Sequence, residues 1–239
     1  MKFKRINNTL ANLNRLGQIL YVFRKYGFAE LIEELDFSRY LSLSKLALSL
    51  GQEMEKEIAG RDMPRRAAMA FQELGPTFIK VGQLLSTRSD MLRPEYINAF
   101  DSLKDQVKPF SFEKVEAILQ QELNYPQERM FKKIDPVPLA AASVSQVHAA
   151  VLHDGSEVVV KIRRPGIRNT VKTDMRIMNL IVSRLKKRFP REFEVSDPGE
   201  IVREFERIIN EEMDFTAESA NAERFRRNFK EEPLIHIPR

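Results

Sequence analysis

The sequence has 239 residues, of which 43% are hydrophobic and 31% charged, a composition ordinary for a folded chain with one large domain or two small ones. Cysteine is absent, which excludes disulfides and thiolate metal sites, and the three histidines are not spaced as metal ligands. The net charge of +5 is concentrated at residues 2–25 and 184–191, in patches that suit phosphates or anionic membranes but also occur as solvated helix faces.

Residues 1 to about 130 are predicted to be almost wholly helical. Apolar residues recur there at steps of three and four, which is the spacing of a helix that buries one face. Proline suits a first helical turn, and Gly75-Pro76 interrupts the pattern. The predicted helices cover residues 3–20, 41–50, 63–74 and 77–86, with shorter ones starting near residues 94 and 111.

From about Phe131 the pattern changes to short alternating segments. Apolar residues alternate from Val147 to Val151 and from Val158 to Ile162, and Asp154-Gly155 between them is typical of a hairpin turn because glycine tolerates positive φ. The chain is therefore predicted to have an α+β fold with a small antiparallel sheet. Further helices are predicted over residues 167–188, 198–212 and from there to 225, with a strand beginning at 234.

Lys161 is unusual because it lies within V-V-V-K-I, a segment predicted to be a central strand. An unpaired buried ammonium is costly, so we expect a carboxylate or phosphate partner. Protein kinases use a lysine in V-A-I-K to hold the α- and β-phosphates. The competing interpretation is an outward-facing lysine on a half-exposed strand.

A run of small residues precedes the same hairpin by about twenty positions. Ala140, Ala141, Ala142 and Ser143 stand where a kinase has its glycine-rich loop, and small side chains permit close approach of a phosphate to the backbone. Alanine resists the positive φ that glycine allows, so this loop should be stiffer. An alanine run also occurs as ordinary packing.

Acidic residues cluster where the predicted helix near residue 212 ends. Asp214 and Glu218 are four positions apart and would share one helix face, whereas Glu212 would point elsewhere. We therefore expect Glu212 to face Lys161, and the other two carboxylates to face a different partner. A solvated acidic helix face is the alternative.

A K-x-G-Q segment lies in the helix over residues 77–86. Lys80 and Gln83 are three positions apart and share a face, while Gly82 in a helix interior costs about 1 kcal/mol relative to alanine. That cost predicts a close approach by another element. The alternative is a tolerated glycine with two surface polar residues.

Four segments in this order resemble the UbiB/ADCK family of atypical kinases: K-x-G-Q, A-A-A-S-x-x-Q-V-H, V-V-V-K-I-x-R-P-G and E-x-D-F-x-x-E-x-x-N-x-x-R-F. The resemblance runs from about Phe71 to Phe229. It implies a helical extension packed on a kinase-like N-lobe with inserted helices, divided at residues 1–60, 61–130 and 131–239. It also implies that the chain stops before the C-lobe.

The resemblance implies a role for each residue singled out above. Lys161 would be the nucleotide lysine with Glu212 as its partner, and residues 140–143 would form the nucleotide loop. Lys80 and Gln83 would belong to an extension over the active site, which meets Asp214 and Glu218.

The implied cofactors are ATP or ADP and Mg²⁺, the usual ligands of which would lie beyond Arg239, where the catalytic loop is expected. The implied function is ATP hydrolysis or phosphoryl transfer in isoprenoid-quinone (ubiquinone) synthesis. The implied partners are quinone-pathway lipids and proteins or an anionic membrane surface. The expected location is cytoplasmic and peripheral at the inner membrane, since no signal peptide or membrane-spanning run is found.

Two other functions fit the composition. The basic amphipathic segment over residues 2–25 could make the protein a non-enzymatic regulator or scaffold at a membrane surface. Nucleic-acid binding ranks below both, because the basic patches are separated by acidic residues and no recognised binding motif is present.

Overall fold

A computed structural model describes residues 2–37, 60–103, 107–123, 126–193 and 197–238, with side chains from Asn12 onward except that of Glu192. The helix predicted over residues 41–50 lies outside the described residues. The remaining elements form helices around one small antiparallel sheet, so the predicted α+β class is confirmed.

The first half of the described chain is helical, as predicted. Asp62 caps one helix by accepting a hydrogen bond from the amide of Arg65 at 3.1 Å, and Gly75, at φ +93°, separates that helix from the next. The helices are α1 Lys2–Lys25, α2 Ala29–Glu34, α3 Met63–Leu74, α4 Pro76–Ser86, α5 Pro94–Asp101 and α6 Phe112–Leu123.

The sheet has four strands: β1 Phe131–Ile134, β2 Ala140–Ala141, β3 Ser145–Leu152 and β4 Glu157–Arg163. All pairings are antiparallel; β4 runs along one edge of β3, and β1 and β2 pair with its other edge. Gly155, at φ +88°, lies in the β3–β4 hairpin, where the sequence predicts the turn.

Three helices follow the sheet: α7 Ile167–Arg188, α8 Pro198–Glu212 and α9 Phe215–Asn228. These bounds agree with the predicted ones to within three residues. The strand predicted from residue 234 is wrong, because residues 233–238 form a turn and irregular backbone without ladder hydrogen bonds.

The apolar faces of these elements pack into separate cores. The largest joins α1, α3, α4, α7 and α8, and a smaller one holds the back face of β4 against α6. Leu16, Ile19 and Leu20 of α1 are buried in the first of these, so this part of the predicted stripe packs against protein. In the part of the chain that the structure describes, no helix has the length and apolarity to cross a bilayer.

Candidate functional site

One face of the sheet brings Lys161 and the alanine run into a common row. Lys161 of β4 lies opposite Val147 of β3, and Val147 lies opposite Ala140 of β2. Neighbouring strands are about 4.8 Å apart, so the alanine run lies roughly 10 Å from the strand that carries the lysine. The predicted nucleotide lysine and the predicted loop therefore border the same surface.

The amine of Lys161 is held by a carboxylate and an aromatic ring. Its Nζ donates to Glu218 Oε2 at 2.7 Å and to Oε1 at 2.9 Å. It also lies 4.7 Å from the centroid of the Phe215 ring, in a cation–π contact. Both partners belong to the first turn and a half of α9, so the start of this helix fixes the lysine.

The predicted burial of Lys161 on a central strand is wrong. Within the described sheet β4 is an edge strand, and 35% of the lysine side chain is exposed. The alternation of β4 explains this, because Val158, Val160 and Ile162 use the packed face and leave Lys161 on the open one.

The predicted pairing of Lys161 with Glu212 is also corrected. Glu212 pairs instead with Lys80 of α4, at 3.2 Å, and Glu218 takes the place expected of Glu212. The cause is a break in the helix, because α8 ends at Glu212 and α9 begins at Phe215. The two carboxylates therefore leave in different directions, one toward the helical extension and one toward the sheet.

Asp214 occupies that break and caps α9. Its Oδ1 accepts hydrogen bonds from the amides of Thr216 at 3.1 Å and Ala217 at 3.0 Å. The expectation that Asp214 and Glu218 together meet the extension is therefore wrong, since Glu212 makes that contact.

The K-x-G-Q segment docks α4 on its neighbours through each of its three named residues. Gln83 Nε2 donates to the carbonyl of Leu103 at 3.0 Å. A Cβ on Gly82 would lie 2.3 Å from Leu103 Cδ1, so the predicted close approach at this glycine is confirmed. Lys80 contacts Glu212, as described above, and thereby joins α4 to the end of α8.

The alanine turn, residues 140–145, is built without glycine and without positive φ. Ala140 and Ala141 form β2, and the amide of Ala142 donates to the carbonyl of Ser145 at 2.8 Å. The Ser143 side chain is completely buried, and its hydroxyl has no hydrogen-bond partner among the described residues. The hydroxyl of Ser143 thus points into the protein rather than onto the open face.

Two backbone donors of the alanine turn also lack partners. Within the described residues, neither the amide of Ser143 nor that of Val144 donates a hydrogen bond. Unpaired backbone amides on successive residues favour an anion as acceptor. Ser143 and Val144 are 0% and 1% exposed, however, so these two donors lie inside the protein and do not reach the open face of the sheet.

An open cleft of about 920 Å³ lies over the hairpin end of the sheet, between β3, β4 and residues 236–238, and Val159 at its edge is two positions from Lys161. Its walls include Ala149, Val151 and Val159, and the side chain of Val159 is unusually exposed for a valine, at 65%. This volume is within the range of small-molecule sites, and apolar walls suit a flat ring. The open face thus offers apolar side chains at its hairpin end and one amine, Lys161, two positions along β4 from Val159.

Sequence reasoning missed several polar residues behind this face. Gln146 and His148 are completely buried on the other side of β3, where Gln146 Nε2 lies 2.8 Å from His148 Nε2 and His148 Nδ1 lies 2.7 Å from the carbonyl of Asp135. The alternation of β3 places both residues on the face opposite Val147, but only the structure shows that this is the packed face. Phe215 was missed because the pairing partner of Lys161 was misplaced.

The described residues do not suit a metal ion. Among the residues that the structure describes, no three His, Asp or Glu side chains come together in a group that could hold a metal ion. The described residues therefore offer no Mg²⁺ site of their own.

Comparison with known proteins shows a family match. The family model described as "ABC1 atypical kinase-like domain" matches residues 102–239, which include the whole sheet, the alanine turn and helices α7 to α9. This region also contains three of the four sequence motifs noted above.

Individual relatives extend the similarity toward the N-terminus. "Probable protein kinase UbiB" of Marinobacter nauticus is 36% identical over 229 residues, which cover 96% of this chain and 41% of that protein. "Uncharacterized protein sll1770" of Synechocystis is 43% identical over 179 residues, 73% of this chain and 30% of that one. The chain thus spans about two fifths of the UbiB relatives.

One solved structure is similar in sequence over much of the chain. It is titled "The complex structure of Rv3197-erythromycin from Mycobacterium tuberculosis", is 29% identical and covers 77% of this chain and 47% of that chain, with a TM-score of 0.49.

Proposed function

Because this chain belongs to the ABC1 atypical kinase-like family, we propose that the open sheet face binds the phosphates of ATP or ADP through Lys161. The observation that carries the proposal is the exposed Lys161–Glu218 ion pair, which lies on the same open sheet face as the small side chain of Ala140. Lys161 neutralises phosphate charge, and Glu218, in place of Glu212, orients the amine.

The exposure of the ion pair supports a binding role over a structural one. The two side chains are 35% and 57% exposed, and pairs this open to solvent stabilise a fold by no more than about 1 kcal/mol. The amine can therefore accept a phosphate as a further partner at little cost in stability. The cation–π contact with Phe215 keeps the amine of Lys161 on the open face when no phosphate is bound.

The alanine turn and the valine walls complete the proposed site. Val147 and Val159 face the base from the same side of the sheet. Ala140, Ala141 and Ala142 contribute small side chains that keep the backbone close to the ligand.

The helical extension has a separate proposed role. Lys80 and Gln83 hold α4 against α8 and Leu103, so the extension is attached to α8, which precedes the helix that carries Glu218. We propose that this part, residues 61–130, restricts access of protein substrates, with residues 1–60 before it and the nucleotide lobe over residues 131–239.

The activity of the whole protein is proposed from the family resemblance. It is ATP hydrolysis or phosphoryl transfer that supports isoprenoid-quinone synthesis, peripheral to the inner membrane, with Mg²⁺ as a cofactor. When bound, Mg²⁺ would neutralise charge on the phosphates.

The proposal is tested by Lys161→Ala in a thermal-shift titration with Mg²⁺-ADP. Loss of the amine should abolish the nucleotide-induced rise in melting temperature, while the circular dichroism spectrum stays that of the parent chain. Lys187→Ala, at the exposed end of α7, is the matched control and should retain the rise. A full ligand-induced shift in Lys161→Ala would refute the assigned role.

The membrane-surface alternative makes a different prediction. Since Leu16, Ile19 and Leu20 are buried in the core, lipid binding by the part of α1 with described side chains would depend on the exposed Arg24. Co-sedimentation with anionic but not neutral liposomes, together with no response to ADP, would favour a scaffold over the nucleotide-binding function.

A further inference from the structure

Arg163 lies two positions after Lys161 on β4, so both side chains belong to the open face of the sheet. Its guanidinium Nη1 donates to the carbonyl of Met213 at 3.1 Å. Among the described residues no carboxylate forms an ion pair with Arg163, so its charge is directed at backbone and at an aromatic ring. This arginine thus contacts the point at which α8 ends and α9 begins.

The carbonyl of Met213 depends on this contact. Met213 is the buried C-cap residue of α8, and the carbonyls at the end of a helix have no amide within that helix to accept from. No backbone amide of the described chain donates to this carbonyl, so Arg163 is the donor that satisfies it. A charged donor makes a stronger hydrogen bond than a neutral one. Arg163 therefore fixes the chain immediately before Asp214.

The residue after Asp214 is held by the same strand. The ring centroid of Phe215 lies 5.9 Å from the guanidinium carbon of Arg163 and 4.7 Å from Nζ of Lys161, and both distances are within the range of a cation–π contact. Arg163 therefore contacts the residues on both sides of the break, one through its carbonyl and the other through its ring. Two fixed points around Asp214 set the direction in which α9 starts.

Helix α9 has few other anchors. None of its side chains is buried, so it contributes to no core of the described chain. Its ion pair between Glu218 and Lys161 is exposed on both sides, and a pair this open to solvent contributes no more than about 1 kcal/mol. The ion pair is therefore too weak to hold the helix by itself. The contacts at the start of α9 decide whether Glu218 stays within reach of Lys161.

We propose that Arg163 is a positioning residue that docks the start of α9 on β4 and thereby keeps Glu218 at the amine of Lys161. The docking needs no ligand, whereas its consequence for nucleotide binding rests on the proposed function. Arg163 acts through the backbone of Met213 and the ring of Phe215. Lys161 remains the residue assigned to the phosphates.

The test measures how fast the amine of Lys161 is acetylated by an N-hydroxysuccinimide ester, with peptide mass spectrometry as the readout and the exposed Lys187 as the internal reference. In the parent chain the amine is hydrogen-bonded to a carboxylate and should react slowly. Arg163→Met removes the donor and the cation, so Glu218 is released. The rate at Lys161 should then rise about threefold to fivefold, the factor that corresponds to the loss of an exposed ion pair. Glu218→Gln gives the rate without the pair.

A double variant separates positioning from a general effect on the fold. If Arg163 acts through Glu218, Arg163→Met should not raise the acetylation rate further in the Glu218→Gln background. The same should hold for ADP affinity measured by calorimetry, where each single variant weakens binding by a similar factor and the double variant by no more than either. A direct contact of Arg163 with the ligand, or a loosened fold, would make the two effects add and would overturn the proposal.

Arg184→Met is the matched control. Arg184 also donates to two backbone carbonyls, of Leu35 and Asp36, and lies over a phenylalanine ring, but it belongs to α7. This variant should lose stability, while the acetylation rate of Lys161 stays at the parent value. Circular dichroism checks that each variant is folded.

An unchanged rate at Lys161 in folded Arg163→Met would overturn the proposal, as would an equal rise in Arg184→Met. Should Arg163→Met unfold, Arg163→Lys takes its place, because it keeps a cation but has only one donor centre. Its rate at Lys161 must exceed that of the parent, and a parent-like rate would refute the docking role. If the parent chain bound no ADP, the proposed function would fail, but the acetylation rates would still decide whether Arg163 docks α9.

Discussion

Asp214 decides which carboxylate reaches Lys161. By capping α9 it ends the helical direction of α8, so that Glu212 stays with α8 and Glu218 starts along a new axis. In one continuous helix Glu212 and Glu218 would differ in direction by about 120° around a single axis, whereas the break gives each carboxylate a helix axis of its own. The capping residue is therefore as important to the site as the charged pair.

Gly82 gives a sharp prediction at the scale of one methyl group. Gly82→Ala places a Cβ 2.3 Å from Leu103 Cδ1 and 3.2 Å from Phe71 Cδ2, in a core with little free space. We expect destabilisation of about 1 to 3 kcal/mol, the range for overpacking, measured by urea denaturation.

A double variant checks that cause. Leu103→Ala removes the clashing atom, so Gly82→Ala should cost much less in the Leu103→Ala background than in the parent chain. Equal costs in both backgrounds would mean that the glycine is needed for another reason.

At the scale of elements, α8 positions Glu212 for its contact with Lys80. Asp197 is the N-cap residue at which this helix begins. Asp197 accepts from the amide of Gly199 at 2.7 Å, and Lys186 lies 3.2 Å away. The amide of Gly199, followed by Lys186, lowers the pKa of the Asp197 carboxyl. The charged form is thus favoured in the folded protein.

This lowered pKa predicts a pH dependence. The folded pKa lies below the unfolded one, so Asp197 stabilises the fold above the ordinary carboxyl pKa, and the contribution is lost as pH falls through the folded value. Asp197→Asn keeps an acceptor but removes the charge. The melting temperature of the parent should exceed that of the variant at pH 7, and the gap should narrow below about pH 4.

A gap that stays constant from pH 7 to pH 3 would show that the charge of Asp197 is irrelevant to stability. Asp62→Asn is a useful control, because Asp62 caps α3 in the same way and no basic side chain forms an ion pair with it among the described residues.

Elements were predicted well from the sequence where one local rule decides them. The hairpin around Gly155, the start of α3 at Met63 and α7 all follow from periodicity, proline and glycine positions. The strand expected at residue 234 failed because a short apolar run forms a strand only when another strand pairs with it. The break in the helix at Asp214 is a second case, because the neighbours that the two halves reach depend on tertiary packing. This packing decided which carboxylate pairs with Lys161.

At the scale of the whole molecule, a buried ion pair ties the first helix to a helix far along the chain. Arg15 Nε lies 2.7 Å from Asp174 Oδ1, and Nη2 lies 3.0 Å from Oδ2 and 2.9 Å from the carbonyl of Leu74. Asp174 is completely buried. The pair joins α1, α3 and α7 in the largest core.

Asp174→Asn should therefore be costly. It leaves Arg15 mostly buried without a counter-charge, and the loss of one partner of a buried pair costs about 3 to 5 kcal/mol, measurable by urea denaturation. The double variant Arg15→Met/Asp174→Leu removes both charges and should be more stable than Asp174→Asn. If the double variant were equally unstable, packing rather than the unpaired charge would be the cause.

The sequence did not indicate this pair, because its members are 159 positions apart and each fits a solvated helix face. The same limit applies to Lys80 with Glu212. Motif order identified the residues of the site, but the partner of each charge depends on how α4, α8 and α9 pack. Pairings between distant residues are fixed by tertiary structure.

The most direct test of the central claim is lysine labelling with an acyl-phosphate derivative of ADP, followed by mass spectrometry of the peptides. An amine beside the phosphates attacks the acyl group, releases ADP and keeps the acyl as an amide. The account predicts that Lys161 is the main site, that excess unmodified ADP suppresses its labelling, and that Lys187 reacts weakly and without competition. Labelling spread over exposed lysines, with Lys161 unmodified or insensitive to ADP, would contradict it.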